Sequence, residues 1–215
     1  MHASSSDPGN LWLARILWDS GAVEFGKFNV GSTTDSPIWV NVRRIVSNPR
    51  ALRAVGQLIR EHTRTLSGML RPAMAPFELV AGVPIGGLHI ATAYALVADL
   101  PLIYPHPRAG TERYEEIEGS YFPGQTALIV DDLITGGTSM LATAETLRSA
   151  GLMVHDAVAL LDRQAGGQQR LKAVGIQLHA LLTLEMLLNY LESSNRITEA
   201  QYARCMAYIQ RTNEY

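Results

Sequence analysis

Thr126-Ala127-Leu128-Ile129-Val130-Asp131-Asp132-Leu133-Ile134-Thr135-Gly136-Gly137-Thr138-Ser139 runs on through Met140 to Ala150 and closes at Gly151. The unbroken apolar run Ala127 to Val130 reads as a buried parallel strand, and Leu141, Ala144 and Leu147 recur at helical spacing behind the turn. Strand, turn and helix make half of a βαβ unit. Gly136 and Gly137 let backbone approach a ligand closely, Thr135, Thr138 and Ser139 supply hydroxyl donors, and the free N–H groups of a helix start favour an anion, so a phosphate is the expected occupant. Asp131 and Asp132 follow the strand at its carboxyl end, where open α/β sheets bind ligands. There they are placed to accept bonds from ribose hydroxyls or to hold a hydrated Mg²⁺. The turn matches neither G-x-x-x-x-G-K-[ST] nor G-x-G-x-x-G, which argues against an ATPase P-loop and a dinucleotide fingerprint.

Outward from this stretch the chain alternates. On the N-terminal side, Leu11 to Ser20 is an amphipathic helix stopped by Gly21, and Val23 to Val30 a half-buried strand. Gly31 to Pro37 reads as a turn cluster, with Ile38 to Val42 as the second arm of a hairpin. Ser47 or Asn48 caps a helix that begins at Pro49 and reaches about Leu66. Arg43, Arg44 and Arg50 around its start are either a phosphate clamp or solvated charges, and spacing favours the latter. Leu70 to Pro76 is a loop. Phe77 to Val83 is the first core strand, Pro84 to Gly87 turns into a helix over Leu88 to Ala98, and Leu100 to Tyr104, Met153 to Leu161 and Ile176 to Leu182 supply further strands. Helices over Leu184 to Leu191 and Thr198 to Ile209 end the chain. The pattern predicts a mostly parallel sheet with helices on both faces. Residues 1 to 9 are Ser-rich and expected to be mobile.

With 215 residues, 47% of them hydrophobic, the chain can bury one substantial core and is expected to form a single domain. A net charge of −2 gives no general attraction to nucleic acid or membrane. The lone Cys205 excludes an internal disulfide and a Cys-based metal cluster, and reads as a small apolar residue of the last helix. Neither a signal peptide nor an apolar stretch long enough to span a bilayer is visible, so a soluble, cytoplasmic protein is expected. Of the 18 Lys plus Arg, only Lys27 and Lys172 are lysines.

Val130 to Ser139 resembles the phosphoribosyl-pyrophosphate (PRPP) signature of type I phosphoribosyltransferases: two apolar residues, two acids, two apolar residues, then a Thr/Gly/Ser turn. Leu160-Leu161-Asp162-Arg163-Gln164-Ala165-Gly166-Gly167 is similar to the Leu-Asp-Arg-x-x-Gly-Gly stretch of orotate phosphoribosyltransferases. Further similar stretches are Gly21 to Phe28, Ser36 to Val40, Ala81 to Pro84 with Ala91 to Ala93, Pro101 to Pro105, and Ile117 to Gly119. They cover nearly the whole chain in order, and most resemble the transferase domain of bifunctional UMP synthases.

The resemblance implies a PRPP-binding core over about residues 77–183, with a small hood built from about residues 1–45 and the C-terminal part. It implies transfer from PRPP to orotate with Mg²⁺, giving orotidine 5′-monophosphate and pyrophosphate through an oxocarbenium-like transition state. By position, Thr135, Gly136, Gly137, Thr138 and Ser139 would hold the 5′-phosphate, Asp131 and Asp132 the ribose hydroxyls and the metal, and Arg163 the orotate carboxylate. A salt bridge of Arg163 with Asp162 is the plainer reading of that arginine. Family members form homodimers whose lid reaches the neighbour's site.

Two departures stand out. The first hairpin reads Val30-Gly31-Ser32 where the family carries a lysine. The lid, Tyr104 to Glu116, has no lysine either: Arg108 and Arg113 are outnumbered by Glu112, Glu115 and Glu116, with His106 beside them. Arg108 and Arg113 are therefore the candidate catalytic cations at the leaving group. A non-catalytic PRPP- or nucleotide-binding regulator of the same fold is the alternative, and transfer to another base a weaker one.

Overall fold

Five apolar runs line up in parallel because each needs cover on both faces. They are Leu79–Gly82 (β3), Leu102–Pro107 (β4), Ala127–Ile134 (β6), Asp156–Asp162 (β7) and Gln177–Thr183 (β8). A sixth strand, Tyr114–Glu118 (β5), pairs antiparallel with β4 at one edge, giving the order β5-β4-β3-β6-β7-β8. The computed structural model describes residues 11–30, 33–107 and 114–213. Residues 1 to 9, expected to be mobile, lie outside them.

Side chains alternate across the sheet. Val80, Leu128, Val130, Val158 and Leu160 face one core, which is closed by Leu11–Asp19 (α1), Pro49–Ser67 (α2), Gly86–Ala98 (α3), Leu184–Ser193 (α6) and Glu199–Asn213 (α7). Leu79, Ala81, Ala127, Ile129, Ala157 and Ala159 face the other, against Thr138–Ser149 (α4) and Gly167–Ala173 (α5). The expected architecture is thus observed, an α/β fold with a mostly parallel central sheet and helices on both faces. A separate antiparallel hairpin, Val23–Val30 (β1) with Thr33–Val40 (β2), packs through Val23, Ile38 and Val40 into the first core.

Local chemistry sets the helix ends. Asn48, not Ser47, caps α2: its Oδ1 accepts from the Ala51 N–H at 3.1 Å, and Pro49 stands at the first helical position. Thr198 and Gln201 cap α7 reciprocally, Gln201 N–H donating to the Thr198 hydroxyl at 3.2 Å and Thr198 N–H to Gln201 Oε1 at 2.9 Å. Cys205 is buried on α7, as expected, and burial pushes its thiol up to about 11.

Several boundaries differ from the sequence expectation. The second hairpin arm starts at Thr33, inside the stretch that reads as a turn, and ends at Val40 rather than Val42. Pairing with β1 draws Thr33 to Pro37 into the ladder, with Asp35 tolerating a φ of 50° at an irregularity. The first core strand is shorter than Phe77 to Val83, while β4 extends past Tyr104 to Pro107 because β5 gives it a second neighbour. β5 and α5 have no counterpart in the sequence reading. β5 is short and acidic, and its strand state comes from pairing. α5 has seven residues and one fully buried anchor, Leu171.

Beneath the sheet's far end, His179 Nε2 meets Asp156 Oδ1 at 2.7 Å while Asp156 Oδ2 accepts from Ala75 N–H at 2.9 Å. The His62 ring stands edge-on to His179, and burial, reinforced by that ring, holds His62 below its ordinary 6.5. Because the folded state resists protonating His62, the unfolded chain binds more protons just below that ordinary value, and stability falls as pH drops through it. Thermal melts from about pH 7.5 to about pH 5.5 are expected to shift downward, and His62→Gln to reduce the shift. An unchanged pH slope in the variant would remove His62 from this account.

Candidate functional site

The strand order turns around between β3 and β6. The helix that follows β3 covers one face and the helix that follows β6 covers the other, leaving a crevice at the carboxyl ends of the strands. β6 carries both acids to this point. It runs to Ile134 rather than stopping at Val130, so Asp131 and Asp132 belong to the strand itself, with Asp131 paired to Ala159 of β7.

The start of α3 presses against those acids. A Cβ on Gly87 would lie 2.6 Å from the Val130 carbonyl oxygen and 2.8 Å from the Asp131 Cα; one on Gly86 would lie 2.5 Å from Asp132 Oδ1. At Gly87 the obstacle is backbone and only glycine fits; at Gly86 it is the Asp132 side chain, which would have to turn aside. The contact buries Asp131, and burial, followed by the Asp132 charge, holds its carboxyl well above the ordinary range. The Asp132 N–H, which donates to Asp131 Oδ1 at 2.8 Å, and the Arg43 charge oppose that shift. Arg43 is thus electrostatically part of the site, whereas Arg44 pairs with Glu24 at 3.2 Å.

Behind the acids, Thr135 to Ser139 forms the turn into α4. Gly137 is the N-cap residue in the left-handed region, φ 78°, and no side chain caps the helix. The first-turn N–H groups therefore face outward, flanked by the exposed Thr138 and Ser139, in the arrangement that binds anions. The turn is backed by α5: a Cβ on Gly167 would lie 2.5 Å from the Thr135 carbonyl oxygen, so the second glycine of the Gly166-Gly167 pair lets α5 rest on the loop. Arg170 of α5 donates to the Gly136 carbonyl at 2.7 Å and to the Thr138 hydroxyl at 3.3 Å. Nothing in the residue pattern of so short a helix signals that role.

Arg163, just past β7, is only 4% exposed. Its N–H donates to the Ile134 carbonyl at 2.9 Å, and its Nη2 donates to the Ser36 hydroxyl at 2.9 Å and the Ile38 carbonyl at 3.3 Å. The plainer salt-bridge reading does not hold: Asp162 turns away, its Oδ1 accepting from Gln164 N–H at 2.7 Å. Burial pushes the guanidinium down from its usual value, with Tyr208 of α7 acting the other way. A buried cation held by neutral oxygens is the setting in which a planar carboxylate binds strongly. The hairpin's part in this, through Ser36 and Ile38, is invisible to sequence reading because it joins residues 127 positions apart.

Asp131 and Asp132 stand together. Among the described residues, no cluster of three or more His, Cys, Asp or Glu is built to hold a metal. A pair of carboxylates fits a hydrated Mg²⁺ that takes its other oxygens from water and ligand, as that ion does at phosphate sites. Arg108 and Arg113 lie outside the described residues, as do Gly31 and Ser32. The strands that flank the arginines are described: β4 and β5 pair up to Pro107 and Tyr114, and His106 Nδ1 stands 3.7 Å from Glu118 Oε1. Among the described residues, no helix is long and apolar enough to cross a membrane.

A family model of the phosphoribosyl transferase domain matches residues 41–177. The orotate phosphoribosyltransferase of Caenorhabditis elegans is 34% identical, over 90% of this chain and 82% of its own length. The uridine 5′-monophosphate synthase of Bos taurus is 35% identical over 92% of this chain, which spans 40% of that longer relative. The crystal structure of the Aeropyrum pernix orotate phosphoribosyltransferase superposes with a TM-score of 0.71 at 30% identity, covering 84% of this chain and 99% of that one.

The tight contact between α3 and β6 gives a direct test. Gly87→Ala places a methyl group against backbone that cannot yield, and is expected to cost about 1–3 kcal/mol. Thermal or urea unfolding reads that loss, and a variant as stable as the native chain would show that the contact gives way easily.

Proposed function

Because the chain belongs to the phosphoribosyl transferase family, among its orotate phosphoribosyltransferases, we propose that it transfers the phosphoribosyl group of PRPP to orotate, releasing pyrophosphate and forming orotidine 5′-monophosphate for pyrimidine biosynthesis. The observation that carries this reading is Arg163, a buried guanidinium with neutral partners, standing past β7 beside the strand that carries the acid pair and the uncapped loop. Such a cation suits the orotate carboxylate, and the uncapped loop suits a 5′-phosphate.

In this reading Thr135 to Ser139 binds the 5′-phosphate through backbone N–H groups and hydroxyls. Asp131 and Asp132 accept from the ribose hydroxyls, and their negative charge favours the cationic ribosyl centre as the bond to pyrophosphate breaks. Bound Mg²⁺, held by Asp131 and Asp132, would neutralise charge on the departing pyrophosphate. Arg163 orients the base so that its ring nitrogen faces the anomeric carbon. No protein nucleophile is required, since orientation and fixed charge supply the rate enhancement. Arg108 and Arg113 serve the leaving group in place of the family's lysines. The working unit is a homodimer, and the setting is the cytoplasm.

A lysine-free lid favours one other reading, a PRPP-binding regulator without turnover. Ultraviolet measurement of orotate consumption separates the two. The native chain is expected to consume orotate only with PRPP and Mg²⁺, and Arg163→Ala to lower kcat/KM for orotate by about 10- to 100-fold, the worth of a hydrogen-bonded charge pair. Lack of turnover, with PRPP still binding and activity gained by Arg108→Lys with Arg113→Lys, would establish the regulator instead. Chelation of Mg²⁺ is expected to stop turnover reversibly; full activity after chelation would remove the metal from the mechanism.

A further inference from the structure

We propose that Arg170 is a positioning residue for the 5′-phosphate, acting through the Gly136–Gly137 peptide and the Thr138 hydroxyl. The inference rests on the reading of Thr135 to Ser139 as a phosphate loop, and adds to it what holds that loop in its binding form.

The loop has no basic residue of its own. Arg170 comes from a different element, α5, and its Nη1 reaches the Gly136 carbonyl at 2.7 Å and the Thr138 Oγ1 at 3.3 Å. Both bonds have directional consequences. In a trans peptide the carbonyl and the following N–H point opposite ways, so holding the Gly136 carbonyl toward Arg170 turns the Gly137 N–H away from it, out of the α5 side of the loop. Gly137 sits in the left-handed region, φ 78°, where glycine has several accessible conformations, so the peptide before it needs such a restraint. At Thr138 the guanidinium occupies an acceptor site of the hydroxyl, which leaves the hydroxyl proton to be donated elsewhere, as a phosphate oxygen requires. The brace is stiff because α5 is held from both sides: the close approach of Gly167 to the Thr135 carbonyl stops it moving nearer, and the fully buried Leu171, next to Arg170, anchors it against retreat.

Arg170 is exposed, so neither of its bonds is needed to satisfy a buried group. A side chain kept only for stability would gain little at such a place. Its effect belongs to the loop's geometry, and to the positive charge it lends behind an anion site.

The test is calorimetric binding of ribose 5-phosphate and, separately, of inorganic pyrophosphate with Mg²⁺, to the native chain, Arg170→Gln, Arg170→Lys and Lys172→Gln. Lys172 lies on the same helix, also exposed, and serves as the charge control. Arg170→Gln is expected to weaken ribose 5-phosphate about tenfold, as the loss of a charge-assisted bond would. It should leave pyrophosphate affinity and the melting temperature essentially unchanged. Arg170→Lys is expected to recover part of the loss, and Lys172→Gln to match the native chain. Equal ribose 5-phosphate affinity in native and Arg170→Gln proteins would overturn the inference. So would a parallel loss of both ligands with a lower melting temperature, which marks a structural role alone. A native chain that binds no ribose 5-phosphate would instead overturn the phosphate-loop reading on which the inference rests.

Discussion

The site depends on how closely the start of α3 lies over the end of β6. With no Cβ at Gly86 or Gly87, backbone from one strand's exit comes to rest on the two acids of the next. That contact buries Asp131 beside a like charge, raising its affinity for a proton and, by the same electrostatics, for any cation or hydroxyl offered to it. Because α3 and α4 cover opposite faces, the same contact sits at the floor of the crevice. A larger residue at Gly87 would push α3 away from the β6 backbone, and one at Gly86 would displace the Asp132 side chain.

The loop and Arg163 share one physical feature: a polar group without a capping or charged side-chain partner among the described residues. In the loop, backbone N–H groups of α4 lack a capping side chain, and Arg170 fixes the peptide that precedes them. At the end of β7, the Arg163 guanidinium is desolvated and donates to a hydroxyl and a carbonyl of the hairpin. Arrangements of this kind lower stability, a cost that binding sites commonly carry. At Asn48 and Thr198, by contrast, a side chain accepts from a first-turn N–H, whereas α3 and α5 begin, like α4, without such a cap.

This division also places the lid and hairpin. Both grow from ordinary strand pairing, β4 with β5 and β1 with β2, so their chemistry can vary without disturbing the sheet. On the proposed function, Arg108 and Arg113 in place of the family's lysines would change what meets the leaving group. Arginine retains charge and adds directionality, but gives up the compact, mobile point charge of an ammonium.

Much of the core was legible along the chain. Unbroken apolar runs such as Ala127 to Val130 signal strands buried on two faces, and the glycines and hydroxyls of Thr135 to Ser139 signal an anion loop, because both depend on neighbours in sequence. The strand state of Asp131 and Asp132, the early start of β2, and the existence of β5 and α5 depend on partners far along the chain, and were missed or displaced for that reason. Arg163 shows the boundary most clearly. Its place after an apolar strand is written in the sequence, but its alternatives, a bond to adjacent Asp162 or a role in binding, are equally short-range guesses until the fold is known. Local residue types determined the α/β class, the candidate phosphate loop and the candidate acids. Only the tertiary structure decided that Arg163 turns to the hairpin and that Arg170 braces the loop, since each requires backbone separated by tens of residues to be brought within hydrogen-bond distance.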